Sequence, residues 1–140
     1  MLRFHMRVHS GDAPLAEGPA LPSSGGALAT VRPTGPLPPL AVTFDDALAA
    51  LGQLARLDVE PDGFFTWVSA RGPDDWKLEG QLVDAGPALM YVELKGRVPG
   101  DVLDDVLTTL GWPAAPLVFE LVRAGVFLAE PAFRRWAEGQ

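Results

Sequence analysis

Cysteine is absent from this chain, so it can build no disulfide, thiolate metal site or thiol nucleophile, and it carries no mark of a redox compartment. Histidine occurs only at His5 and His9. With both imidazoles in the first ten residues, no set of nucleophile, base and orienting acid can be assembled as in a hydrolase triad. No glycine-rich loop leads from a strand into a helix, so the usual phosphate cradle is missing too. The apolar runs are too short to span a bilayer, and no secretory segment follows Met1. Arg3 and Arg7, with no acid before Asp12, have the flavour of a transit peptide, but the period there is two and not helical. These absences lead to the expectation of a cytoplasmic domain with no membrane contact.

What is present is enough for one packed domain. Hydrophobic residues make up 48% of 140, with a mean hydropathy of +0.15, which excludes wholesale disorder. Charge is uneven. Residues 41–140 hold 16 of the 18 acids and 8 of the 11 bases, so that segment is strongly negative. A negative domain repels phosphate backbones at long range unless a local basic patch offsets the repulsion, which disfavours nucleic acid as a partner.

Two segments follow from composition. Residues 1–40 open with Leu2, Phe4, Met6 and Val8 alternating with Arg3, His5, Arg7 and His9, a short strand pattern suited to docking on a sheet edge. The two histidines are four apart, a helical spacing for metal ligands set in a strand-like context, and read as a solvated strand face. Seven prolines and five glycines then fall before residue 40, and the stretch from Ser10 to Pro39 reads as a flexible, disordered leader. Residues 41–140 read as a single α+β domain. Thr43 caps a helix carrying Phe44, Ala47, Leu48, Leu51 and Leu54 on one stripe, with Asp46 in the capping-box position. Leu57 to Glu60 and Phe64 to Ser69 read as strands around a Pro61-Asp62-Gly63 turn. A break is expected at Arg71-Gly72-Pro73-Asp74-Asp75. Pro99 or Asp101 opens a second helix, ended by Gly111 and Pro113. Leu117 to Val122 fits a buried strand or a buried helix. The strand is preferred because Arg123-Ala124-Gly125 and Val126-Phe127-Leu128 complete a hairpin. Pro131 begins a short last helix. The expected architecture is an antiparallel sheet of about five strands covered by two main helices, with a short C-terminal helix.

The middle of the chain, Trp76 to Lys95, is a hairpin turning at Asp84-Ala85-Gly86-Pro87. Even-numbered residues are apolar on both arms, so even must pair with even to bury one face. A turn centred on Gly86 would set Glu79 opposite Glu93 and Lys77 opposite Lys95, on a polar outer face. Four tryptophans are many for this length. Trp67 and Trp76 are expected to pack together in the core, whereas Trp112, and Phe133 with Trp136 on the last helix, are candidates for an interaction surface.

Glu93-Leu94-Lys95 resembles the Glu-x-Lys signature of the PD-(D/E)XK nuclease superfamily. That resemblance implies Glu93 as a Mg²⁺ ligand and Lys95 as the lysine that orients the attacking water, with Glu79 as the second ligand where the family usually has aspartate. By element order alone, the chain is also similar to the small acidic chaperones of type III secretion, which implies a dimer whose apolar patches hold a partner polypeptide, with no catalytic residues; no cofactor is expected outside the nuclease alternative. Acidic charge, the missing catalytic constellation and the aromatic-rich last third favour a non-enzymatic domain that binds a protein partner or itself. The alternative is a Mg²⁺-dependent nuclease.

Overall fold

A computed structural model describes residues 1–70 and 75–140. The alternating segment at the start of the chain is strand β1 (Leu2–Ser10), and it lies in the middle of the sheet, not at an edge. Short strands β2 (Leu15–Glu17), β3 (Leu21–Ser23), β4 (Gly26–Leu28) and β5 (Val31–Pro33) follow. Helix α1 (Phe44–Gly52) leads into β6 (Leu57–Val59), β7 (Phe64–Val68), β8 (Lys77–Ala85) and β9 (Ala88–Val98). Helix α2 (Gly100–Thr109), strands β10 (Leu117–Leu121) and β11 (Phe127–Ala129), and helix α3 (Glu130–Glu138) complete the chain. One antiparallel sheet of nine strands runs β2-β5-β11-β10-β1-β9-β8-β7-β6, with β3 and β4 as a separate pair.

This corrects the expected five-stranded sheet under two main helices. The first strand is not an accessory. Leu2, Phe4, Met6 and Val8 are all buried, paired to β9 on one side and, from Met6 onward, to β10 on the other. The leader is not disordered either. β2 pairs with β5, and β5 meets β11 at Val31 and Phe127. Thr30 is buried with its Oγ1 donating to the Pro19 carbonyl at 2.5 Å, and Leu28 and Leu40 are buried. Proline and glycine composition alone predicts lack of order there. Proline also lowers the entropy of the unfolded chain, and it is tolerated in short strands with a free side. The break expected at Arg71 to Asp75 falls, for residues 71–74, outside the described residues.

The helices begin and end on local chemistry. Thr43 accepts a hydrogen bond from the Asp46 amide at 3.1 Å, the N-cap of α1. Gly111, at φ 97°, follows α2. Pro131 sits in the first turn of α3. All three pack their apolar stripes into one cluster with the even-numbered residues of β1, β8 and β9. Phe133 of α3 stacks on Phe119 with ring centroids 4.7 Å apart and lies 5.7 Å from Phe4. Trp67 and Trp76 meet edge to face at 5.3 Å, and the Trp67 indole N–H reaches the Ala55 carbonyl at 2.9 Å.

In the β8–β9 hairpin even pairs with even, as in Gly80 with Leu94 and Leu82 with Val92, but the strands are offset by two residues from the expected register. Glu79 faces Lys95, Gln81 faces Glu93, and Lys77 faces Arg97. The cause is at the turn. β8 continues through Ala85, the turn is Gly86-Pro87 with Gly86 at φ 60°, and a bulge leaves Met90 without a partner. Phase switches there, so Leu89 is buried and Met90 is not. Gly80 is required by the core, since a Cβ at that position would run into the Phe65 ring.

Candidate functional site

Because every helix lies on the even face, the odd face of the central strands is left uncovered. Cross-strand pairing sorts its side chains into rows. One row runs Glu120, Arg7, Glu93, Gln81 from β10 to β8. The next holds His5, Lys95 and Glu79, and a third holds Arg3, Arg97 and Lys77.

The first row is internally neutralised. The Arg7 Nε donates to Glu93 Oε1 at 2.9 Å, and its Nη1 lies 4.0 Å from Glu120 Oε1. His9 Nε2 is 2.9 Å from Glu120 Oε1, and His5 Nε2 is 3.4 Å from Glu93 Oε2. The Arg7 guanidinium lies over the Tyr91 ring, 5.4 Å from its centroid, and the His9 ring is 5.2 Å from Tyr91 and 5.7 Å from Phe127. The hydrogen bond from Arg7 holds the Glu93 carboxyl below the usual carboxylate range, desolvation opposes this, and His5 adds to the lowering. The hydrogen bond to Glu93 in turn raises the Arg7 guanidinium above its ordinary value.

The third row breaks the pattern. Arg3 stands directly opposite Arg97, and Arg97 directly opposite Lys77. Like charges facing across a ladder are unfavourable. Lys77 has Glu79 at 3.1 Å, but among the described residues Arg3, Lys95, Arg97 and Arg123 form no ion pair. An acidic chain thus gathers cations at one end of its open face. Two hollows flank them. One of about 530 Å³ is lined by Arg3, Phe4, His5, Lys95, Arg123 and Trp136, among others. The second, of about 420 Å³, is lined by Trp76, Lys77, Glu79, Lys95 and Arg97, with Asp75 and Gly96.

Compared with protein-family models, with curated proteins and with solved structures, the chain matches none.

The residues singled out in the sequence are dispersed by this geometry. Glu93 is engaged by Arg7 and does not face Glu79, which sits diagonally from it beside Lys77 and opposite Lys95. Lys95 is exposed between the two hollows. His5 and His9 share a face but are four strand rises apart, about 13 Å, with Arg7 between them, too far to share an ion. Among the described residues no group of three or more metal-binding side chains converges. Phe133, expected on an interaction surface, is fully buried. Trp112 is half-buried with the Arg134 guanidinium 5.4 Å from its ring centroid, and Arg134 also holds Asp104 at 2.5 Å and Glu130, so the indole helps join α2 to α3. Trp136, half-buried, does line the larger hollow. Sequence reasoning missed Arg7, Glu120, Arg97 and Arg123. Glu120 had a visible signal as the one charge inside Leu117 to Val122. Arg97 had none, because its partner Arg3 is 94 positions away.

Proposed function

We propose that this chain is a protein-binding domain that acts by contact and without chemistry of its own, using the basic end of its uncovered sheet face to hold an acidic surface. The observation that carries this reading is the row Arg3, Arg97, Lys77, in which cations face cations across the ladder. A pattern that costs stability locally suits an external anion that offsets it. No helix of the described residues is long and apolar enough to cross a membrane. The Mg²⁺ nuclease reading has less support, because Glu93 is already neutralised by Arg7 and the offset register sets Glu79 against Lys95.

The test is differential capture. Wild-type chain, a variant carrying Arg3→Glu with Arg97→Glu, and a control with Arg135→Glu on the exposed side of α3 are used as baits in matched lysates. Partners retained by wild type and by the control but lost by the double variant support the reading. Capture that ignores the double substitution sinks it. A melting temperature that rises with Mg²⁺ or Mn²⁺, and no longer does so in Glu93→Ala, would favour the nuclease instead.

A further inference from the structure

Strand β1 is paired unequally on its two sides. β9 runs beside it from Leu2 to Val8, whereas β10 covers only Met6 to Ser10. The Val122 amide still donates to the His5 carbonyl at 3.2 Å, after which the chain turns back through Gly125, at φ 69°, into β11. His5 therefore directs its carbonyl toward the β10 side. Alternation along a strand turns the N–H and C=O of Arg3 the same way, and no described backbone group meets them. A free stretch of edge, the N–H and C=O of Arg3 and the N–H of His5, is thus left inside a nine-stranded sheet. The hollow of about 530 Å³ lies along it. Arg3, Phe4 and His5 are successive and their side chains alternate between faces, so all three can line one hollow only if it runs beside the strand.

We propose that an extended segment of a partner protein, with acidic and apolar residues in alternation, docks in this hollow as an added strand against residues 2–5. The proposal rests on the protein-contact reading above and names the partner's chemistry. Main-chain pairing to Arg3 supplies the ladder, the mode by which exposed sheet edges take up peptides. Side chains of the added strand alternate in turn. Those on the covered side meet Phe4, Leu121 and Trp136, which sets the apolar positions. Those on the open side meet Arg3 and Lys95, Arg123 stands in the turn after β10 along the same hollow, and no aspartate or glutamate lines it, which sets the acidic ones. A nucleic acid could use the cations but has no N–H and C=O ladder to offer the edge, and the chain's net charge of −7 repels a long polyanion.

The experiment uses the full chain and four labelled probes: a decapeptide alternating glutamate and valine, two forms of the same peptide N-methylated on alternate amides along one edge or the other, and a ten-nucleotide oligo-dT. Fluorescence anisotropy should show the first peptide binding, with at least tenfold loss for one methylated form and at least tenfold loss when Lys95→Glu and Arg123→Glu are introduced. Amide exchange at Arg3 and His5 should slow on binding. Equal binding by all three peptides, or unchanged exchange at Arg3 and His5, would leave a charge-only contact and overturn strand addition while the protein-contact reading stands. No binding by the peptide also overturns strand addition, and the capture assay then decides the broader reading alone. Tighter binding by oligo-dT than by the peptide overturns both.

Discussion

The two faces of the central sheet come from the same strands, residue by alternate residue, yet different physics governs them. On the covered face Phe4, Met6, Leu78, Leu94 and Phe119 are all within a few per cent of complete burial. Position there is set by volume, and a change of one methylene is felt. On the uncovered face Arg7, Glu93, Lys77 and Glu79 remain more than a third exposed, where solvent screens their pairing. The first face holds the fold. The second is free to carry arrangements that the first would not tolerate, including three cations in one row.

That contrast can be broken in four places. The largest effect is expected from Phe133→Ala, which empties the space between Phe4 and Phe119. A loss of about 3–5 kcal/mol in urea unfolding is expected for removal of a buried ring, and a loss under 1 kcal/mol would mean the helical layer is not packed as described. Next is Gly80→Ala, whose new methyl must displace the Phe65 ring. It should cost about 1–3 kcal/mol as overpacking, and less in a Phe65→Leu background; equal cost in both backgrounds would remove the clash as the cause. On the open face Arg7→Ala should cost no more than about 1 kcal/mol, in keeping with exposed ion pairs. Its pH dependence is the sharper measure. Glu93 has a lowered carboxyl pKa in the folded state, so its contribution is present above the unfolded glutamate value, about 4.3, and is lost as pH falls through the folded value. The stability gap between wild type and Arg7→Ala should therefore close on acidification, and a gap constant from neutral pH to pH 2 would refute the pairing. The smallest effect is expected from Arg97→Glu, within about 0.5 kcal/mol as for other surface changes. Its sign is the test: relief of the Arg3 and Lys77 repulsion should raise the melting temperature while abolishing capture, and a clear drop would show the row is not repulsive.

How far the sequence revealed this can be followed through particular residues. The even parity of the β8–β9 hairpin was visible, since alternation alone demands it, and so were the Thr43 cap, the Gly111 stop and the strand at Leu117 to Val122. The two-residue offset was not, because parity is unchanged by a shift of two and only the Met90 bulge sets it. The order of residues 11–40 was hidden by composition, since their short strands are held by β11 and by the Pro19–Thr30 contact and not by any apolar period of their own. Of the site, Lys95 and Trp136 were picked out, each for a reason other than the basic hollow they now share.

By itself the sequence determined which residues of each segment face inward, because burying apolar surface needs only local alternation or helical spacing. Which strands lie side by side was decided by the tertiary structure alone. Nothing near Arg3 in the chain announces Lys95, Arg123 or Trp136, and only the central seat of β1, with β10 turning away at Val122, brings them to one hollow.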